Sequence, residues 1–241
     1  MRIVVINPNT TASMTAVIDS AARTVARPDA EIVSVTSTMG PASIESHYDE
    51  ALAVPGVLAA IADHPGADGY LLACFGDPGL DAAREVAKAP VLGIAEAAMH
   101  LAAPLGRGFS IVTTAGRTIG RAADLVGHYG FTRSCRGIHA CEIPVLELET
   151  DPEALAVITK MCAEALTTDG SDAVVLGCAG MAEFAAGIGD DVGAPVIDGI
   201  AAGVGMLTAM AAMGLRTGTR TGEFAPPPAK PYAGLLAPFA Q

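Results

Sequence analysis

Short apolar runs alternate with longer amphipathic stretches through the first hundred residues of the chain. The apolar runs that have the length of a strand are Ile3–Ile6, Glu31–Thr36, Tyr70–Ala73 and Val91–Ile94. The stretch Asp49–Ala62 has helical spacing and is predicted to be interrupted at Pro55. Short buried strands separated by helices are typical of parallel sheets with right-handed crossovers. The pattern therefore predicts an α/β fold.

The second half of the chain repeats the landmarks of the first. Asp68–Gly76 aligns with Asp172–Gly180, so that Cys74 corresponds to Cys178. The later apolar runs and the opening strand align at nearly the same offset. We predict two pseudo-symmetric lobes, residues 1–103 and 104–214, each a mostly parallel four-stranded sheet flanked by helices, with the active site in the cleft between them. Residues 215–241 are predicted to be an irregular tail that packs back on a lobe.

Composition limits the classes of function. The 241 residues are 51% hydrophobic and carry a formal net charge of −12, which argues against nucleic-acid binding. The start of the chain lacks the apolar core of a signal peptide, and the longest uncharged stretch, Gly199–Leu215, is predicted to be a buried helix. Five cysteines without a secretory signal predict free thiols. We expect a cytoplasmic protein with no membrane or nucleic-acid partner.

Four polar segments fall where predicted strands end, which is where open parallel sheets bind ligands. These segments are Asn7–Thr10, Cys74–Gly76, Thr113–Thr114 and Cys178–Gly180. Two lobes facing each other would place Cys74 and Cys178 on opposite sides of one small ligand. Amide groups and a following helix are expected to favour the thiolate of each cysteine. Such a pair suits removal of a proton beside a carbonyl and its return to the opposite face, without a metal or cofactor.

A structural role is the competing interpretation, because cysteine is among the most frequently buried residues. Cys162 lies on an apolar helical stripe and is predicted to be core. Cys135, His139 and Cys141 have a spacing that matches no structural zinc site, so no metal is predicted. Asp77 before Pro78 is predicted to be the N-cap of the next helix. A small-molecule binding module and a thiol redox protein remain alternatives, although the chain has no Cys-x-x-Cys motif.

The chain resembles the aspartate/glutamate/hydantoin racemase superfamily, and most closely its hydantoin racemase branch. The segments that carry the resemblance are Ile6–Thr10, Cys74–Leu80, Gly93–Ala97, Ser110–Thr114 and Leu176–Met181. The resemblance implies two α/β lobes, cofactor-independent racemisation, a homo-oligomer, and Cys74 and Cys178 as the acid and base. It also implies substrate contacts from Asn7, Pro8, Asn9, Thr10, Phe75, Gly76, Thr113, Thr114, Gly177 and Ala179.

Departures within the superfamily narrow the expected substrate. Glutamate racemases carry Asn-Thr and Thr-His after their two cysteines, whereas this chain has Phe75-Gly76 and Ala179-Gly180. Decarboxylases of the superfamily keep one cysteine, and this chain has both. An uncharged ring fits the apolar replacements, which predicts a 5-monosubstituted hydantoin as the small-molecule partner. Allantoin, a 5-ureido hydantoin, is the alternative substrate.

Overall fold

The computed structural model describes residues 1–240, which form two four-stranded parallel sheets. The first sheet has the order β2-β1-β3-β4 and the second has the equivalent order β6-β5-β7-β8. The strands are β1 Arg2–Asn7, β2 Glu31–Thr36, β3 Gly69–Leu72, β4 Val91–Gly93, β5 Phe109–Thr113, β6 Cys135–Ala140, β7 Ala173–Leu176 and β8 Val196–Ile197. This architecture confirms the predicted fold class. The lobe boundaries at residues 103 and 214 stay a prediction.

Within residues 1–240, eight α-helices connect or cover these strands. They are α1 Ala12–Val25, α2 His47–Asp63, α3 Leu80–Val86, α4 Ile94–Ala102, α5 Ile119–His128, α6 Ala154–Asp169, α7 Ala185–Val192 and α8 Gly199–Ala212. The predicted interruption at Pro55 is wrong, because α2 continues through it. The buried face that includes Ala53, Val57 and Ile61 holds α2 in place, and this packing offsets the one helical hydrogen bond that proline removes.

Strand register places the carboxyl ends of the central strands side by side. In the first sheet Ile6 pairs with Leu72, and Leu72 pairs with Gly93. In the second sheet Val112 pairs with Leu176. The residues that follow β1 and β3, and those that follow β5 and β7, therefore lie at the edge where parallel sheets bind ligands.

The last α-helix within residues 1–240, α8, joins the two halves. It packs against α4, α1 and β3. A side chain at Gly203 would collide with Leu71 of β3, and Leu207 packs over Gly69. One buried apolar cluster accordingly contains residues of both sheets, such as Ile3 and Leu71 from the first and Phe109 and Val175 from the second. The two halves share a core.

The end of the chain is largely irregular. The Thr217 hydroxyl donates to the Ala89 carbonyl at 3.3 Å, and the Arg84 guanidinium lies 5.8 Å from the centre of the Phe224 ring. A short 3₁₀ helix follows at Gly234–Phe239. The predicted tail, residues 215–241, includes Gln241, which lies outside the described residues, and its assignment as a separate unit stays a prediction. Across residues 1–240, every helix is too short or too polar to cross a membrane.

Candidate active site

A cavity of about 180 Å³ lies between the carboxyl ends of the two sheets. Both halves of the chain line it. An apolar cavity of roughly 150 Å³ is large enough for benzene, so this one is large enough for a five-membered ring. The sequence-predicted residues that line it are Asn9, Cys74, Phe75, Gly76, Thr113, Thr114, Gly177, Cys178 and Ala179.

Cys74 begins a tight turn, residues 74–77, directly after β3. The Asp77 amide donates to the Cys74 carbonyl at 3.0 Å and closes this turn. Burial raises the pKa of the Cys74 thiol well above its usual range. A hydrogen bond from the Gly76 amide acts in the opposite direction, while the nearby Cys178, Glu50 and Asp77 raise the pKa further. We call residues 74–77 the Cys74 turn.

Cys178 begins the equivalent turn after β7, residues 178–181. The Met181 amide donates to the Cys178 carbonyl at 3.1 Å. Burial raises the pKa of the Cys178 thiol to about 12, and the Gly180 amide lowers it. We call residues 178–181 the Cys178 turn. Both cysteines thus have the same local geometry and open into the same cavity.

The expected bias toward the thiolate is wrong, because burial raises the pKa of both thiols. Each sulfur does accept an amide hydrogen bond, as the strand-end position predicts, but burial outweighs it and raises both pKa values. Proximity also couples the two groups, because charge on Cys178 raises the pKa of Cys74. Ionisation of one thiol therefore keeps the other protonated.

The polar segment after β1 contributes one residue to the cavity. Asn9 lines it, and the Asn7 side-chain amide donates to Asn9 Oδ1 at 2.9 Å and to Thr15 Oγ1 at 3.0 Å. Asn7 and Pro8 are buried behind this surface, and the Thr10 hydroxyl donates to the Pro41 carbonyl at 3.2 Å. The structure therefore places Asn7, Pro8 and Thr10 outside the cavity lining, and their contact with substrate stays a prediction.

On the opposite side, Thr113 and Gly177 meet in close contact. The Thr113 hydroxyl donates to the Gly177 carbonyl at 3.2 Å, and a side chain at Gly177 would collide with Thr113. Glycine at this position lets β5 and β7 approach each other where they reach the cavity. Thr113 and Thr114 are both buried, so their hydroxyls face little solvent.

A charged rim was not identified from the sequence. It consists of His47 and Glu50 from α2, Arg117 from the 3₁₀ turn Gly116–Thr118 before α5, and Arg121 from the first turn of α5. Arg121 Nε lies 3.2 Å from the Glu50 carboxylate. Burial raises the pKa of Glu50, and the charges of Arg121 and His47 lower it. The sequence signal that could have revealed this rim is the pair Arg117 and Arg121, which follows the strand end at Thr113-Thr114.

Ile44, Ser46 and His47 also line the cavity. Ile44 and Ser46 belong to the loop before α2, and His47 is the first residue of α2. The remaining lining residues are Met14, Ala73, Thr118, Ala122 and Val145. This side of the cavity combines apolar groups with the charged rim.

Asp77 has a different role from the predicted one. The N-cap of α3 is Gly79, whereas the Asp77 carboxylate reaches α4 and accepts from the Ala95 amide at 3.2 Å and the Glu96 amide at 3.1 Å. The Tyr129 hydroxyl also donates to it at 2.6 Å. Asp77 has a φ of +46°, a conformation that aspartate tolerates better than most residues and that turns its side chain toward α4.

Residues predicted to lie outside the site take structural positions. Cys162 is fully buried, as predicted. His139 Nε2 lies 2.7 Å from Asp169 Oδ2. Within residues 1–240, no cluster of three His, Cys, Asp or Glu side chains is arranged to hold a metal ion.

Comparisons with known proteins agree on one family. Residues 3–207 match the family described as Asp/Glu/Hydantoin racemase. The chain is 44% identical to a hydantoin racemase from Pseudomonas sp. (strain NS671), over all of this chain and 98% of that protein. It is 46% identical to the structure of an allantoin racemase from Klebsiella pneumoniae, with a TM-score of 0.95 over 100% and 99% of the two chains. A glutamate racemase from Francisella tularensis shares the fold at 17% identity, with a TM-score of 0.64 over 90% and 84%.

Proposed function

The chain belongs to the Asp/Glu/hydantoin racemase family and is an isomerase, and from this premise we propose that it interconverts D- and L-5-monosubstituted hydantoins by a two-base mechanism. The observation that carries the proposal is that Cys74 and Cys178, at equivalent positions of the repeat, line one cavity. In the proposed reaction one cysteine acts on each face of C5. A cytoplasmic location and a homo-oligomeric state form part of the proposal.

The proposed step conserves atoms and charge. One thiolate removes the C5 proton and becomes a thiol, and the electron pair of the C–H bond moves into the enolate of the adjacent carbonyl. The opposite thiol then donates its proton to the other face of C5 and becomes the thiolate. The product is the mirror image of the substrate, and the same two groups run the reaction in reverse with their roles exchanged. No electron carrier takes part in this scheme.

Donors around the cavity suit the charge that develops on the ring. Thr114, Phe75 and Ala179 line it. The Thr113 hydroxyl already donates to the Gly177 carbonyl, and the Gly177 amide donates to the Val112 carbonyl, so the donors proposed for the ring are the Thr114 hydroxyl and the Phe75 and Ala179 amides. Hydrogen-bond donors that are already held in place stabilise an enolate oxygen without the cost of reorganising water. The raised thiol pKa values also favour proton transfer from a weak carbon acid, because a thiolate of high pKa is a strong base.

The coupling of the two thiols supplies the protonation state that the reaction needs. A racemase of this type requires one thiolate and one thiol at the same time. Mutual repulsion disfavours the state with two thiolates, so the first ionisation leaves a monoanionic pair. Because burial raises both pKa values, the proposal predicts activity that increases with pH from neutral into the alkaline range.

The test follows L-5-benzylhydantoin in D₂O by proton NMR and polarimetry, with the reduced enzyme. Decay of the optical rotation together with loss of the C5 proton signal is expected. Cys74→Ser and Cys178→Ser should each reduce racemisation at least about 10³-fold, the scale seen when a member of a catalytic group is removed. Each variant should still exchange the C5 proton of one enantiomer, and the two variants should act on opposite enantiomers.

Cys162→Ser is the matched control, because Cys162 is buried away from the cavity. It should racemise the substrate at the wild-type rate if it folds, which circular dichroism would establish. Undiminished turnover by Cys178→Ser would contradict the two-base scheme.

Allantoin is the second candidate substrate. The similarity to the allantoin racemase from Klebsiella pneumoniae is as high as that to the hydantoin racemase. The charged rim also offers hydrogen bonds to a polar 5-substituent, whereas Met14, Ile44 and Val145 offer apolar contact. The ratio of kcat/KM for allantoin to that for benzylhydantoin decides between the two substrates.

A binding module would bind the ligand without deuterium uptake at C5. Alkylation by iodoacetamide does not separate this alternative from catalysis, because burial raises the pKa of both thiols and so lowers the fraction of reactive thiolate in either case. Isotope exchange is therefore the decisive measurement.

A further inference from the structure

Two side chains from the second half of the chain contact the Cys74 turn. They are Arg121, in the first turn of α5, and Tyr129, directly after α5. Arg121 donates to the Gly76 carbonyl through Nη2 at 2.6 Å and through Nε at 3.1 Å. Tyr129, directly after α5, donates to the Asp77 carboxylate at 2.6 Å. Two consecutive residues of the Cys74 turn are thus held by one helix of the opposite lobe.

The Arg121 contact fixes the peptide group that closes the turn. The Gly76 carbonyl and the Asp77 amide belong to the same peptide unit. Arg121 holds its oxygen, and the Cys74 carbonyl accepts from its N–H at 3.0 Å. A peptide polarised at both ends makes stronger hydrogen bonds at each. The same arrangement keeps the preceding Gly76 amide directed at the Cys74 sulfur.

Arg121 also offsets a charge beside Cys74. The Glu50 carboxylate lies against Gly76, where it would collide with any side chain at that position. Its negative charge raises the pKa of Cys74. Arg121 lies within ion-pair distance of Glu50, so its positive charge counters this effect. Removing Arg121 would loosen the turn and leave Glu50 with only the exposed His47 beside it.

The Cys178 turn meets the first half by apolar packing instead, because α1 packs against residues 179–184 and Ala179 belongs to the buried cluster that both sheets share. Among residues 1–240, no side chain of the first half hydrogen-bonds to residues 178–181. Met181, the equivalent of Asp77, is fully buried in the apolar core of the second sheet, and Leu148 packs against Gly180. Apolar packing therefore holds the Cys178 turn, whereas polar side chains of the opposite lobe hold the Cys74 turn through hydrogen bonds.

We propose that Arg121 is a positioning residue for Cys74, and that with Tyr129 it makes the alignment of this thiol depend on contact between the two lobes. The proposal rests on the proposed racemase function. Arg121 acts through Gly76 and Glu50 and takes no proton itself. Its loss should impair Cys74 selectively and leave Cys178 competent.

Rates of racemisation alone cannot reveal this selectivity. The two enantiomers have equal free energy, so kcat/KM must be equal in both directions whichever cysteine is impaired. Isotope exchange does reveal it. When Cys178 removes the proton and Cys74 fails to complete inversion, the enolate recovers a solvent deuteron from Cys178, and the substrate exchanges with retention of configuration.

The experiment measures deuterium uptake and inversion separately for each pure enantiomer in D₂O with Arg121→Met. Cys74→Ser first identifies the enantiomer that Cys178 deprotonates. For that enantiomer the ratio of exchange to inversion should increase, while inversion decreases about 10- to 100-fold, as expected for a lost charge-assisted hydrogen bond. For the other enantiomer exchange and inversion should decrease together.

Three further variants sharpen the result. Arg121→Lys keeps the charge beside Glu50 and loses the forked contact with Gly76, so it should recover part of the activity. Tyr129→Phe should show the same enantiomer dependence with a smaller change. Arg133→Met is the matched control, because Arg133 is exposed and lies outside the cavity, and it should match the wild type.

An equal exchange-to-inversion ratio for both enantiomers of Arg121→Met would overturn the proposal, and so would an increase for the enantiomer that Cys74 deprotonates. Failure of the underlying function is recognised separately, since the wild-type enzyme would then neither invert nor exchange benzylhydantoin or allantoin. In that event mass spectrometry of alkylated peptides still tests the inference. Arg121→Met should change the labelling rate of Cys74 relative to Cys178, and an unchanged ratio would contradict it.

Discussion

In both lobes a carboxylate caps the helix after the fourth strand, but the carboxylate comes from a different place in each lobe. In the helix after the fourth strand of each sheet, two amides of the first turn have no acceptor within the helix and bond to a carboxylate instead. These are the amides of Ala95 and Glu96 in α4 and of Ile200 and Ala201 in α8. Asp198, the N-cap residue, supplies both acceptors in α8. In α4 the corresponding N-cap is Gly93, and the carboxylate comes from Asp77 instead.

This difference has a consequence for each of the two cysteine turns. In the second lobe the cap is local, and the equivalent of Asp77 is Met181, which packs in the core. In the first lobe one carboxylate joins the Cys74 turn, α4 and Tyr129. A side chain at Gly93 would collide with Asp77, so the two capping arrangements exclude each other. A repeat can thus keep its backbone while redistributing the groups that stabilise it.

The largest expected effect on the free energy of unfolding comes from giving the second lobe a carboxylate at the position equivalent to Asp77. Met181→Asp would bury a carboxylate with no donors, because Asp198 already satisfies the amides of α8. We expect the free energy of unfolding to fall by about 3–5 kcal/mol. Met181→Leu keeps the apolar volume and should cost less than about 1.5 kcal/mol. Urea unfolding measures both, and equal stability of the two variants would refute the comparison.

Removing the Asp77 carboxylate from the first lobe should lower the free energy of unfolding by less, and a local N-cap at position 93 should restore part of the loss. Asp77→Ala removes the acceptor for two amides and the Tyr129 hydroxyl, at a cost of about 2–3 kcal/mol. Adding Gly93→Asp to Asp77→Ala restores a local cap and should recover about 1 kcal/mol.

Measuring racemisation separates the two proposed roles of Asp77, which are capping α4 and aligning Cys74. The double variant should regain stability without regaining the alignment of Cys74, because the link to Tyr129 is still missing. Full recovery of activity by Gly93→Asp would show that Asp77 serves only as a cap. Gly93→Asp alone should be destabilising, since it places two carboxylates together.

The last expected effect is on the pH dependence of the free energy of unfolding. Burial raises the pKa of Asp77 to about 7, with Tyr129 and the Ala95 and Glu96 amides lowering it and Glu96 charge raising it. An unfolded aspartate titrates near about 3.9. The folded protein therefore binds this proton more tightly, and its contribution to stability is complete below about pH 4 and is lost as the pH rises to about 7.

The slope for one proton is at most about 1.4 kcal/mol per pH unit. In Asp77→Asn, which cannot ionise, the free energy of unfolding should fall less between pH 5 and pH 7 than in the wild type. Urea titrations at both pH values measure the difference, and identical slopes in the two proteins would argue against a raised pKa at Asp77.

The sequence was sufficient for the architecture because periodicity and the repeat act over many residues. Alignment of Cys74 with Cys178 places both at strand ends, and the structure has two sheets of equivalent order. The helix through Pro55 was mispredicted because tertiary packing, which sequence does not display, outweighs the local effect of proline.

The details of the site depended on long-range contacts. Asp77 has the sequence context of an N-cap, but its left-handed backbone directs it to α4. The thiol pKa values follow from the depth of burial, which exceeds the effect of the amides that the sequence implied. Arg121 was missed because its partner, the Gly76 carbonyl, is a backbone group 45 residues away.

The position of α8 has a consequence for biosynthesis. β3 leaves the ribosome more than a hundred residues before α8, yet Gly203 and Leu207 of α8 cover Leu71 and Gly69 of β3. Domains generally fold as units during synthesis, starting at the N-terminus. Here the first sheet keeps an apolar face uncovered until translation is nearly complete, so that nascent chains truncated before residue 199 should depend on chaperones to remain in solution.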